Sequence, residues 1–257
     1  MAGPDTHETT RMRGTSVPLT AFANGGLFGE RLGPGQPRVL GLHGWARDRT
    51  DMAAVLSGLD AVVLDLPGFG ASPPPPEAWG GVAYAEAIVP VVEELADAPV
   101  VVGHSFGGRV AVCLAAAHPD RVGALVLTGV PLVRRATARR PPARYRAVRA
   151  LHRAGLVGEG RMERARMRYG SRDYRAASGV MRDVLVRAVN EDYEQQLRMI
   201  RCPVELVWGE ADTEAPPEIA ERALALLTDA RLTLIPGDHF APLRTPELRA
   251  AIHKHLP

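Results

Sequence analysis

The chain has 257 residues, 46% of them hydrophobic, and its 31 basic and 29 acidic side chains leave a formal net charge of +2. That size and apolar share exclude a disordered or fibrous chain and fit one large α/β domain, or one domain with an insertion. Two cysteines, Cys113 and Cys202, form neither a CxxC nor a metal-ligand spacing, so no disulfide framework and no metal site are expected.

Residues 1–16, "MAGPDTHETTRMRGTS", lack the apolar stretch of a secretory signal. They read as a tail outside the fold of a cytoplasmic protein. No apolar run approaches the ~20 residues of a spanning helix. The segment Leu19–Gly33 reads as an antiparallel hairpin added at a sheet edge. Six short apolar runs follow as strands: Arg38–His43, Ala61–Leu66, Pro99–His104, Ala124–Gly129, Pro203–Gly209 and Arg231–Gly237. They are nearly continuous in hydrophobicity rather than alternating, as parallel strands covered on both faces should be. Amphipathic stretches between them predict helices over Tyr84–Ala96, Phe106–His118, Glu218–Leu227 and Pro246–His255. Strand alternating with helix predicts a doubly wound, mostly parallel sheet.

The alternation stops between Pro131 and Arg201. This stretch carries no convincing strand and holds 18 arginines against seven acidic residues, a local charge of +11. A helical, arginine-rich insertion between two strands is expected to form a cap (131–201) over a core made of 17–130 and 202–257. Its densest part, "VRRATARRPPARYRAVRA" (Val133–Ala150), suggests that some of Arg139, Arg140, Arg144 and Arg146 face an acidic ligand. The alternative is a solvated helical face, the usual fate of a charge run. No recognised nucleic-acid-binding module accompanies these arginines.

The chemistry centres on "VVVGHSFGGRVAV", Val100–Val112. Ser105 stands between Gly103 and Gly107, with a buried strand before it and a helix after it. A serine at the tip of so tight a turn has a strained backbone, and side chains two residues away on either side would collide. The hydroxyl is thereby lifted clear of the sheet at a helix N-terminus. This is the G-x-S-x-G nucleophile elbow.

A serine hydroxyl needs a base within reach, and the base needs an orienting acid. On such a turn the chain order is serine, acid, histidine. "WGEADTEAP" offers Glu210 and Asp212 after one strand, and "PGDHFAP" offers His239 after the next. Asp212 is preferred because it lies further into its loop and its shorter side chain suits a fixed bond to an imidazole. Of eight histidines only His239 follows the acid in a glycine-bearing loop after a strand. His104 is assigned a packing role beside the elbow, and Asp238 a turn. Two backbone N–H groups should face the oxyanion of acyl transfer. They are assigned to Phe106, next to the nucleophile, and to Trp45 in "LHGWARD", where Gly44 permits close approach. The Trp45 side chain can also wall the pocket.

With "HGW", "DLPGFGAS", "GHSFGG", "WGEAD" and "GDHF" in that order, the chain resembles the α/β-hydrolase superfamily from about Gly33 to its C-terminus. The resemblance implies catalysis with no metal or organic cofactor. It is closer to the capped esterase-like and carbon–carbon-bond hydrolase branches than to haloalkane dehalogenases or epoxide hydrolases, which carry an aspartate where this chain has Ser105. "DLPGFGAS" matches the family's loop after the second long strand, and no chemistry follows from it. The expected activity is hydrolysis of a carboxylic ester or related small acyl compound. Lactone or carbon–carbon substrates, non-hydrolytic acyl transfer or cyclisation, and a catalytically silent binding protein stay open. The oligomeric state is not legible.

Overall fold

The computed structural model describes residues 18–134 and 142–257. Among these residues eight strands form one sheet: β1 (Thr20–Phe22), β2 (Leu27–Leu32), β3 (Val39–Leu42), β4 (Ala61–Asp65), β5 (Val100–His104), β6 (Ala124–Thr128), β7 (Val204–Gly209) and β8 (Ala230–Ile235). Their spatial order is β1-β2-β4-β3-β5-β6-β7-β8. β3 to β8 pair in parallel, while β1 and β2 form an antiparallel edge hairpin with β2 antiparallel to β4. This is a doubly wound, mostly parallel sheet, and the order reverses at β3 and β5.

Alternate residues of each central strand feed two separate cores, because successive side chains point to opposite faces. Leu40, Leu42, Val101, Leu125, Leu127 and Leu206 pack on one face. There they meet α2 (Gly81–Val92), α3 (Phe106–Ala117), α8 (Glu194–Met199) and α9 (Pro217–Leu224). Val39, Val63, Val100, Val102, Val126 and Val207 pack on the other. Their partners are α1 (Arg49–Val55) and α10 (Pro246–His253). The strands are hydrophobic throughout because both faces are covered. β8 departs from that pattern: as the outer strand it is half-buried or exposed up to its last residue, Ile235, and Leu234 is exposed.

Between β6 and β7 lie α4 (Ala143–Arg153), α5 (Glu159–Tyr169), α6 (Arg172–Ala176), α7 (Gly179–Ala188) and α8. The described residues of 131–201 contain no strand. This helical run is tied to the core by polar contacts of long sequence separation. The Arg187 guanidinium donates to the Ala78 carbonyl at 2.9 Å, and the Glu191 carboxylate accepts from the Gly81 amide at 3.1 Å. No helix among the described residues is long and apolar enough to cross a membrane.

Candidate active site

β5 runs directly into α3, and Ser105 is the residue between them, at φ 49° and ψ −111°. That positive φ is a strained conformation for a residue with a Cβ and costs about 1–3 kcal/mol. Neighbouring backbone over-determines it. The Ser105 amide donates to the Thr128 carbonyl of β6 at 2.9 Å, and the Gly107 amide donates to the His43 carbonyl at 3.0 Å. The two glycines are required by close approach. A Cβ on Gly103 would lie 2.5 Å from Gly108 Cα, and one on Gly107 would strike the Leu42 and His43 carbonyls. Ser105 is half-buried, and Phe106 opens α3 fully buried, so its N–H is among the first-turn amides that lack a helical acceptor.

Trp45 follows Gly44 in the loop after β3. It is half-buried, and its ring meets those of Phe106 and Phe69 edge-on at 5.4 and 5.0 Å. A Cβ on Gly44 would be 3.4 Å from Ser105 Cβ, so this loop passes directly over the serine. The Trp45 side chain thus belongs to an aromatic wall, and its backbone lies beside the elbow.

Asp212 follows β7 and His239 follows β8. Both are buried, at 3% and 4% exposure. His239 Nδ1 donates to Asp212 Oδ2 at 2.8 Å. Asp212 Oδ1 accepts from the amides of Glu214 and Ala215, each at 2.8 Å, which fixes the carboxylate before it meets the ring. The imidazole lies against Gly129, where a Cβ would stand 2.8 Å from the ring's Nδ1 and Cε1. Gly129 is the neighbour of Thr128, whose carbonyl holds the Ser105 amide. His239 and Ser105 therefore flank the same end of β6.

Serine and histidine are not joined, however. Among the described residues no hydrogen bond links the Ser105 hydroxyl to His239, and the ring's Nε2 lies 3.6 Å from a Glu214 carboxylate oxygen. Glu214, in the same loop as Asp212, carries no sequence signal that singles it out. Glu210 is exposed, and Asp238 accepts from the Phe240 and Ala241 amides at 3.1 Å, as a turn residue does.

Two other histidines line the site and are held neutral. His43 Nδ1 donates to the Gly44 carbonyl at 2.7 Å and its Nε2 accepts from the Leu66 amide at 3.0 Å, so both nitrogens are committed. Burial pulls it below the usual histidine range. His104 Nδ1 donates to the Thr128 carbonyl at 3.2 Å, while its Nε2 is buried without a partner among the described residues. Burial, followed by the nearby His239 ring at 4.7 Å, pushes it down to about 3. Neither ring is available as a base.

The "DLPGFGAS" loop has a structural account. The fully buried Asp65 carboxylate accepts from the Arg49 amide at 2.8 Å and the Ala71 amide at 2.7 Å, and pairs with the Arg49 guanidinium at 2.8 Å. Ser72 Oγ donates to the Asp65 carbonyl at 2.6 Å. The loop is wrapped around one carboxylate, which presents Phe69 to Trp45 and Phe106.

Of the arginines expected to face a ligand, Arg139 and Arg140 lie outside the described residues. Arg144 and Arg146 are exposed on α4. No group of three or more potential metal ligands occurs among the described residues. A surface cavity of about 390 Å³ lies at the opposite, N-terminal end of the strands, lined by Arg38, Pro99, Lys254 and Pro257 among others. It is remote from Ser105 and offers no nucleophile.

A model of the Alpha/beta hydrolase family matches residues 39–252. The chain is 38% identical over 135 residues to Esterase Rv0045c of Mycobacterium tuberculosis, a match spanning 48% of this chain and 44% of that one. The chain thus aligns with less than half the length of that relative. It is 30% identical over 247 residues to a pimeloyl-[acyl-carrier protein] methyl ester esterase of Aromatoleum aromaticum, covering 82% of this chain and 94% of the other. Among solved structures, a thermophilic esterase from Thermogutta terrifontis superposes with a TM-score of 0.65 at 24% identity, over 94% of this chain and all of that one.

Proposed function

The chain belongs to the alpha/beta hydrolase family, and we propose that it hydrolyses a carboxylic ester through an acyl-enzyme on Ser105. The observation that carries this reading is the buried Asp212–His239 hydrogen bond beside a serine held at φ 49°. Structural strain of that kind persists where surrounding structure enforces it, and it clusters at sites of chemistry. The similarity to two esterases supports the class of bond.

In this mechanism the Ser105 oxygen attacks the ester carbonyl carbon while His239 Nε2 takes the hydroxyl proton. The carbonyl π pair moves onto oxygen, where the N–H groups of Trp45 and Phe106 stabilise it. Each such donor lowers the barrier by roughly 2.7–4 kcal/mol. Asp212 keeps the proton of the resting ring on Nδ1 and stabilises the imidazolium. Collapse of the tetrahedral centre breaks the bond to the alkoxy group, which takes the proton from Nε2 and leaves as alcohol. Water then gives its proton to Nε2 and attacks the acyl carbon. The serine oxygen leaves with that proton, releasing the carboxylic acid. Before the first step the Glu214 carboxylate must yield the space in front of Nε2. The helical segment 131–201 serves as a cap that shapes the acyl or leaving-group pocket. The substrate is a small molecule, and the residues assigned here require no cofactor.

The test is turnover of p-nitrophenyl esters of graded acyl length, with Ser105→Ala as control. Ser105-dependent hydrolysis that varies with acyl length is expected. Turnover equal in the two proteins would remove the proposal.

A second reading, of an anionic substrate, is favoured by the +11 charge of 131–201. Rates on carboxylate-bearing esters should then exceed those on neutral analogues and fall as salt rises. Equal rates with no salt response would reject it.

A further inference from the structure

α4 and α5 form a helical hairpin whose connection, Ala154–Gly158, is nearly all exposed. At its apex Leu156 is 74% exposed, and Leu151, in the last turns of α4, is 43% exposed. Large apolar side chains held out on a convex tip gain nothing from the fold beneath them. Val157 turns inward and is buried instead, and His152 Nδ1 donates to its carbonyl at 2.8 Å, which sets the shape of the tip.

The charges around that tip that have no partner of opposite sign are all positive. Arg149 and Arg153 lie on the last turns of α4, and Arg161 and Arg164 on the first turns of α5. All four are exposed, and none pairs with a carboxylate among the described residues. The nearby acids are engaged elsewhere. Glu159 pairs with Arg166 and His152, and Glu163 with Arg166 and Arg182. Four unpaired guanidiniums therefore lie on the two helices that meet at the exposed Leu156.

We propose that this hairpin tip docks on an anionic lipid bilayer surface. A soluble acidic protein or a nucleic acid would be satisfied by the guanidiniums alone and would leave Leu156 in water. A bilayer interface satisfies both features. Leucine enters the headgroup–acyl boundary, and the arginines stay level with phosphate groups, their stems lying along the apolar surface. Basic residues near such a surface each add attraction, within a screening length set by salt. The docking is peripheral and independent of catalysis at Ser105.

Co-sedimentation of the full chain with phosphatidylglycerol vesicles, against phosphatidylcholine vesicles, tests this. The protein is expected to pellet with the anionic vesicles at low salt, to be released as salt rises, and to ignore the neutral ones. Leu156→Asp, a change at an exposed position that leaves the fold intact, should weaken binding at least roughly tenfold. The combined Arg149→Gln, Arg153→Gln, Arg161→Gln and Arg164→Gln variant should weaken it at least as much. Should that variant fail to fold, Leu156→Asp and the lipid comparison still decide. The proposal is overturned if wild-type protein does not pellet with phosphatidylglycerol, or binds both lipids equally. It also fails if Leu156→Asp binds like wild type, which would place the lipid contact away from this tip.

Discussion

Asp212 divides its carboxylate between two tasks: Oδ2 accepts from His239 Nδ1, and Oδ1 accepts from two backbone amides, each contact at 2.8 Å. Asp212→Asn separates these tasks. Its carbonyl oxygen can keep the amide bonds, but its NH₂ then faces Nδ1 and forces the proton onto Nε2. The ring can no longer accept from serine. The expected result is a fall of about 10⁴-fold in kcat on a p-nitrophenyl ester, with little change in thermal unfolding. A loss under tenfold would remove Asp212 from the proposed mechanism.

The elbow glycines make a prediction about folding. A methyl group at position 107 would meet two carbonyl oxygens of the β3 end, which are backbone and cannot rotate away. Gly107→Ala should lower unfolding stability by about 1–3 kcal/mol, measured in urea, because overpacking forces backbone shifts. Stability equal to wild type would show that the turn has room.

Ser105 offers the converse case. Replacing it with glycine removes the Cβ that makes φ 49° costly, whereas alanine keeps it. Ser105→Gly should be more stable than Ser105→Ala by roughly 1 kcal/mol, the strain relieved less the added chain entropy. The reverse order in denaturant unfolding would argue against strain at this residue.

Acid stability follows from the buried histidines. His104 is pushed from the usual 6.5 down to about 3, and His43 is shifted in the same direction. Below pH 6.5 the unfolded chain binds protons that the folded rings refuse. Stability is therefore complete above that value and is lost as pH falls, for His104 towards 3, at up to about 1.4 kcal/mol per pH unit for one ring. Urea unfolding between pH 4 and 8 should show this slope, and His104→Gln should flatten it. Parallel slopes for the two proteins would count against the assignment.

Much of the architecture was legible because the physics behind it is local. The central strands are hydrophobic on both faces, and helices do cover both faces. Other features depend on distant residues. The helix expected over Tyr84–Ala96 is Gly81–Val92. It starts early because Glu191, 110 residues away, accepts from its first amide. It stops early because the Ala96 amide turns to the Pro37 carbonyl. α1, with seven residues, is too short to show a helical period. The spacing of serine, acid and histidine could be read from strand ends, since each follows a different strand at one sheet edge. Glu214 could not, because its place before His239 depends on how the Asp212 loop closes. The role of "DLPGFGAS" likewise needed the Asp65 contacts to be seen.

The most direct measurement of the central claim is mass spectrometry of the folded protein after treatment with a fluorophosphonate. The account predicts a single covalent adduct, mapped to Ser105, lost in Ser105→Ala and strongly slowed in His239→Ala. Native protein that stays unlabelled, or is labelled at another residue with Ser105 untouched, would contradict it.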